Sequence, residues 1–189
     1  MQGRYRPTSN RCRRPKTLPS EPQQWKLATK GVVWTPGETV VAGIGQGYVL
    51  TTPMQLAVMT ARIANGKDAV VPSLLSTPNG VGRNFAPLDI SESALEVIRR
   101  GMSAVLYGGA GTANKYKLSK KYGGMAGKTG TVQVKRITLA QREKGITKNI
   151  DRPWKERDHA LFVAYAPLKN PRYAISVVVE HGGSGSSTA

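Results

Sequence analysis

The 189-residue sequence is poor in cysteine, histidine, acidic side chains and long apolar runs. Its single cysteine, Cys12, excludes an internal disulfide framework and a cysteine-built zinc site. Two histidines, His159 and His181, are too few for a histidine-built metal centre, so no metal is expected. No stretch approaches the ~18 apolar residues of a bilayer-spanning helix. The start, Met1 to Ser9, is basic but lacks the apolar core of a signal peptide. Only 11 acidic residues face 28 lysines and arginines, a formal net charge of +17.

A charge of that size attracts polyanions through counterion release, whether nucleic acid, anionic lipid headgroups or another anionic polymer. The charge is uneven. Eight cations fall in residues 1–30 and eight in residues 135–157, two segments with weak hydrophobic periodicity that read as solvated loops. Nucleic-acid binding favours aromatics interleaved with the cations. Trp154 stands in the second segment without a repeating pattern around it, and no zinc-finger or RNA-recognition signature occurs. Nucleic acid is therefore the weaker partner reading.

With 21 glycines and 12 prolines the chain is loop-rich, and its length suits one ordinary core. Residues 1–30, with Pro7, Pro15, Pro19 and Pro22 among many cations, predict poor order, and residues 31–189 predict the folded part. Thr35-Pro36-Gly37-Glu38 reads as a turn, followed by a glycine-punctuated apolar segment over 40–47. A helix is predicted over 53–65: Thr52 can cap it, Pro53 suits its first position and Gly66 its exit. Leu56, Met59 and Ile63 form its apolar face. Residues 78–88 predict a loop. A second helix is predicted over 91–107, capped by Asp89 or Ser91, with a core stripe of Leu95, Ile98, Met102, Val105 and Leu106. Three strands are predicted over 124–134, 158–166 and 172–180, the last two joined as an antiparallel hairpin through Pro167–Pro171. The 23-residue connection 135–157 is long enough to be functional or disordered. Helices first and an antiparallel sheet after predict an α+β fold and argue against a doubly wound nucleotide-binding fold.

Ala126-Gly127-Lys128-Thr129-Gly130-Thr131 is the densest small-residue motif. It fails as a phosphate loop, because Tyr122 stands where the first glycine is needed and no helix pattern follows. On an extended strand, Lys128 and Thr129 project to alternating faces, Gly130 admits a ligand to the backbone, and Thr131 offers a backbone N–H. That set suits binding a carboxylate and stabilising an acyl oxyanion. Taken alone, a lysine on a solvated strand stays equally open.

The motif has company. Gly45-Gln46-Gly47-Tyr48 and Leu50-Thr51-Thr52-Pro53 precede it. Asp158-His159-Ala160-Leu161-Phe162 and Glu180-His181-Gly182-Gly183-Ser184-Gly185 follow it. In this order, from Trp34 to Ala189, the segments resemble the C-terminal part of the transpeptidase domain of the class B penicillin-binding proteins, the elongation-type peptidoglycan D,D-transpeptidases of the penicillin-binding protein 2 kind. The resemblance implies a partial serine β-lactamase/transpeptidase-like fold that lacks the nucleophile-bearing helical part and the terminal helix. It implies no cofactor. It implies that Lys128 carries the charge at the acyl site, that Thr129 and Gly130 bind the terminal carboxylate of a stem peptide or a β-lactam, that the Thr131 backbone N–H is half of an oxyanion hole, and that Gln133 continues the strand along which the peptide aligns. It implies that residues 135–157 flank the cleft. Possible partners are membrane proteins of the elongation machinery. The family is anchored to the inner membrane and works in the periplasm, whereas this sequence shows neither signal peptide nor transmembrane segment.

The first two motifs of such enzymes are missing. No serine here has a lysine three positions on, and none has Asn or Asp two positions on. Thr112-Ala113-Asn114 has the second motif's spacing, but with threonine and out of family order. Without an activated nucleophile no acyl-enzyme forms, so the chain alone is expected to be inactive. Where the family continues into a covering helix, this sequence ends, and the 158–180 hairpin is expected to expose an apolar face. Asp158 and His159 point to opposite faces of a strand and cannot form a base–orienter pair; His159 reads as structural. Ser184 lacks a Gly-x-Ser-x-Gly elbow. Two alternatives accompany this reading: a basic nucleic-acid-binding protein, and a non-catalytic interaction remnant whose two helices meet a membrane partner.

Overall fold

The computed structural model describes residues 26–27, 30–47, 51–74, 85–135, 137–145 and 148–189. The expectations for residues 1–25 and for most of the 78–88 loop lie outside these. The chain divides into two units, residues 1–52 and 53–189.

In the first unit, α1 spans Pro36–Gly43. This corrects the turn expected at Thr35–Glu38 and the apolar segment expected from 40. Thr-x-x-Glu is a helix-start pattern here: the Thr35 N–H donates to the Glu38 carboxylate at 2.6 Å, and Pro36 takes the first turn, where its missing N–H costs nothing. Lys26, only 3% exposed, donates from Nζ to the Val33 carbonyl at 2.6 Å and to Glu38 at 2.8 Å. That hydrogen bond from Lys26, with the one from the Thr35 N–H, holds the Glu38 carboxyl below its ordinary range. Gly45 and Gly47 both take positive φ in the turn that follows.

The second unit holds two helices, α2 (Pro53–Asn65) and α3 (Glu92–Tyr107), and three strands, β1 (Ala126–Val132), β2 (His159–Ala166) and β3 (Tyr173–Val179). The expected α+β arrangement is present. Gly66 leaves α2 at φ +73°, and the Ala94 N–H donates to the Ser91 hydroxyl at the start of α3, which selects Ser91 over Asp89 as the cap. The sheet is antiparallel in the order β1-β2-β3, with Lys128 opposite Val163, Thr129 opposite Phe162 and Ala164 opposite Ile175.

β2 is the central strand and the most buried, with Ala160, Phe162, Val163, Ala164 and Tyr165 all in the core. α3 packs against β1, and α2 packs against β2 and β3. Leu95 and Leu106 are fully buried; Met102 joins Ala64, Ala126 and Tyr165, while Leu106 joins Ala113, Phe162 and Ala164. Burial pushes the Tyr165 phenol up. The core stripes need correction. Met59 is 44% exposed and Ile98 41%, whereas Thr60 and Ala64 are the buried residues of α2. Small side chains let α2 lie close to the sheet, and the Thr60 hydroxyl is satisfied by the Leu56 carbonyl one turn back at 2.8 Å. The larger side chains Met54, Val58, Met59 and Ile63 instead line an apolar groove with Leu88 and Ile90.

The hairpin's apolar exposure falls on β3, where Tyr173 and Ile175 are exposed. β2 is covered on the side where Ala189 packs against the Leu106, Ala113, Phe162 and Ala164 cluster.

Candidate functional site

β1 is an outer strand among the described residues, so its sequence Ala-Gly-Lys-Thr-Gly-Thr-Val meets one neighbour only. Ala126 and Gly127 are buried at its start. A Cβ on Gly127 would lie 2.6 Å from the Val163 carbonyl oxygen and 2.7 Å from Phe162 Cζ, so glycine is required there. The strand surfaces at Lys128, which is exposed and donates from Nζ to the Thr129 carbonyl at 2.7 Å. Thr129 is half-buried, and its hydroxyl lies 2.9 Å from that of Thr112. Thr131 is exposed, and its hydroxyl accepts from the Gly185 N–H at 3.3 Å.

Two expectations for this strand change. Gln133 lies one residue beyond the end of β1, so it does not extend the ladder. At Gly130 the backbone is approached by the chain itself. A Cβ on Gly185 would fall 2.0 Å from the Gly130 carbonyl oxygen and 2.5 Å from that of Leu161, whereas one on Gly130 would sit 3.3 Å from Leu161 Cβ. The strictest steric demand at this point is therefore on Gly185.

Thr112, set aside in the sequence because of its place and residue type, is brought to the strand by the loop after α3. That loop is tightly determined. The Ala113 N–H donates to the Val105 carbonyl at 3.0 Å, and the Asn114 amide donates to the Gly108 carbonyl at 2.9 Å. Asn114 is thus turned back into its own loop, and the threonine hydroxyl reaches β1. The signal that marks this loop is Gly111, where a Cβ would meet the Val105 carbonyl oxygen at 2.3 Å.

The connection from β1 to β2 is ordered where it is described. It contains a short helix, α4 (Leu139–Glu143), whose start is closed by Thr138 and Gln141 exchanging side-chain hydrogen bonds with each other's N–H. Its return is pinned by a buried charge cluster that the composition did not reveal. Arg152, 4% exposed, bridges to Asp158 Oδ2 at 2.9 Å and also donates to Asn149. Asn149 in turn donates to Asp158 Oδ2 at 3.1 Å and accepts the Asp158 N–H at 2.9 Å. Lys135 pairs with Glu156. Arg142, Lys144, Lys148 and Lys155 are exposed, as a solvated loop requires.

His159 is structural. Its Nδ1 accepts the His181 N–H at 2.9 Å, which fixes the proton on Nε2 in the neutral ring, and its ring meets that of His181 edge-on at 4.8 Å. Ser184 turns its hydroxyl to Ser186 at 2.7 Å, with no histidine beside it among its hydrogen bonds. No group of three or more His, Cys, Asp or Glu among the described residues could hold a metal ion. No described helix is long and apolar enough to cross a membrane.

What this arrangement can do is bind an anion at an exposed ammonium and a hydroxyl pair on a strand edge. Residues 17–189 match the family described as the penicillin binding protein transpeptidase domain. The chain is 35% identical over 188 residues to the peptidoglycan D,D-transpeptidase MrdA of Acinetobacter baumannii, covering 91% of this chain and 26% of that protein. It is 35% identical over 175 residues to MrdA of Haemophilus influenzae, covering 88% and 26%. Among solved structures it is similar to Pseudomonas aeruginosa PBP2 in complex with WCK 5153, with TM-score 0.68 and 38% identity over 87% of this chain and 32% of that one. It is similar also to PBP2 in its complex with MreC from Helicobacter pylori, with TM-score 0.67 and 34% identity over 87% and 27%. The chain spans about a quarter of the length of the curated relatives it matches.

Proposed function

Because this chain belongs to the penicillin-binding protein transpeptidase family, we propose that it supplies the Lys-Thr-Gly wall of a peptidoglycan D,D-transpeptidase site. The folded transpeptidase part is taken as residues 31–189; of the basic lead 1–30, residues 17–30 already fall within the family match and residues 1–16 lie outside it. The observation that carries the reading is Lys128-Thr129-Gly130 on an outer strand, with the ammonium exposed and the Thr129 hydroxyl paired at the surface.

In this reading Lys128 provides positive charge at the acyl site. Thr129 receives the terminal carboxylate of a stem peptide or of a β-lactam; Gly130, whose backbone is covered by Gly185, serves the strand rather than the ligand. The Thr131 backbone N–H faces the developing oxyanion, a contribution worth about 2.7–4 kcal/mol where one donor is removed from such a hole. Gln133 contacts the ligand from beyond the strand end, as a side chain rather than as a rung of the ladder. The basic 135–157 connection flanks the cleft. The complex of PBP2 with MreC from Helicobacter pylori supports the reading that the whole protein would attach to a partner of the elongation machinery. The same reading puts its work in cell-wall growth and cell shape, on the periplasmic side of the inner membrane.

The 189 residues contain no Ser-x-x-Lys and no Ser-x-Asn/Asp. Acyl transfer needs the activated serine, so this chain by itself forms no acyl-enzyme and turns over no peptide. The test has two arms. Labelled penicillin incubated with the chain leaves no covalent adduct; a serine-linked adduct contradicts the inactivity. In ¹⁵N-resolved NMR, N-acetyl-D-alanyl-D-alanine shifts the amides of residues 128–131. Shifts elsewhere and none on β1 remove the site assignment.

A further inference from the structure

We infer that Thr112 is a positioning residue that holds the Thr129 hydroxyl ready to donate to a carboxylate. The inference rests on the reading of Thr129 as the carboxylate ligand. The two hydroxyl oxygens are 2.9 Å apart, so one hydrogen lies between them and the other is free to point elsewhere. When Thr112 donates, the Thr129 hydrogen is released toward the cleft. A bound carboxylate selects that order, because a hydroxyl that accepts a hydrogen bond donates a stronger one.

Several features separate this from a packing role. Thr112 is exposed, so its methyl and hydroxyl add little to the core. Its loop is held by its neighbours instead: Gly111 is confined against the Val105 carbonyl, Ala113 is buried at 3% exposure, and Asn114 ties back to Gly108. These loop contacts do not involve the Thr112 side chain, whose hydroxyl lies against that of Thr129. The pair thus reads as one extended donor, with Thr129 at its outer end.

The experiment titrates the full 189-residue chain with N-acetyl-D-alanyl-D-alanine and, separately, with its C-terminal amide, following the residue 128–131 amides by NMR. The unsubstituted chain prefers the carboxylate. Thr112→Val lowers that preference roughly fivefold, the size of one net hydrogen bond, with an unchanged melting temperature. Thr112→Ser restores it, and Thr129→Val abolishes it. If Thr112→Val destabilises the fold, Thr112→Ala is read in its place against the same Ser rescue. A Thr112→Val chain that keeps the full preference while Thr129→Val loses it overturns the inference and leaves the site reading intact. Equal weakening toward both ligands assigns Thr112 a structural role and also overturns it. No preference in the unsubstituted chain overturns the inference together with the assignment of Thr129.

Discussion

Gly185 rests against Gly130 so closely that a side-chain carbon on the first would fall 2.0 Å from the carbonyl oxygen of the second. The strand bearing Lys128 is therefore positioned from two sides, by its ladder with β2 and by the glycine-rich turn near the C-terminal residue. Gly185→Ala forces that turn away from the strand. A loss of about 1–3 kcal/mol in urea unfolding is expected, the usual cost of an unrelieved overpacking. The amides of Gly130 and Thr131 shift with it. Unchanged stability together with unchanged Gly130 and Thr131 resonances counts against this contact.

Arg152 is the second point of leverage. Its guanidinium is nearly fully buried and bridges Asp158. Arg152→Met leaves that carboxylate without its cation, and breaking one side of a buried pair costs about 3–5 kcal/mol. The double change Arg152→Met with Asp158→Asn recovers part of the loss, since it removes the stranded charge. Chemical denaturation of the three proteins measures both effects, and equal stability of single and double variants would show that the bridge is not coupled.

Acid acts on α1 through Glu38. Lys26 and the Thr35 N–H hold its carboxyl below the ordinary range, so the folded pKa lies under the unfolded one. The stabilisation is therefore complete above the unfolded carboxylate range and is lost as pH falls through the depressed folded value. Trp34, whose indole N–H donates to the Thr39 hydroxyl at 2.8 Å, lies beside this cap and reports on it. Amide protection across residues 36–43 is expected to fall as the pH drops below the ordinary glutamate value of about 4.3 and through the lowered folded one. Glu38→Gln flattens the profile; a profile that persists in that variant points to another group.

β3 governs handling of the chain. Tyr173 is 65% and Ile175 46% exposed on an outer strand of high β-propensity. Such an edge templates intermolecular pairing. Ile175→Lys is expected to lower concentration-dependent light scattering while changing stability by less than about 0.5–1 kcal/mol, as an exposed substitution does. If scattering is unaffected, association proceeds through another surface.

The helices and the hairpin were legible because their signals are local. Pro53 and Gly66 bracket α2, Ser91 and Gly108 bracket α3, and β-branched residues run through β3. Helix α1 was missed because Thr-Pro-Gly-Glu suits a turn as well as a capped start, and the Lys26 bridge that favours the helix is not local. The core face of α2 was misassigned for a related reason. Periodicity marks an apolar face, but the sheet accepts the narrow side bearing Thr60 and Ala64. Of the candidate site, Lys128, Thr129 and Thr131 stood out as a strand motif. Thr112 did not, because its contact spans 17 positions and depends on how Gly111 turns the chain. The burial of Arg152 was hidden in the same way, since a cation in a basic run looks alike whether solvated or bridged.

The 26-residue excursion between β1 and β2, residues 133–158, leaves and re-enters the sheet through a narrow neck, where the Val134 N–H reaches Asp158 Oδ1 at 3.4 Å and Arg152 locks the returning side. A loop tied at its base is insulated from what it encloses. Lengthening it at Gly145 would add only the slow logarithmic entropy of a larger ring, about 0.6 kcal/mol for each doubling, with no rung of the sheet displaced. Gly145, just past α4, is thus a position open to insertion, a graft site that leaves the register of the Lys128 strand alone.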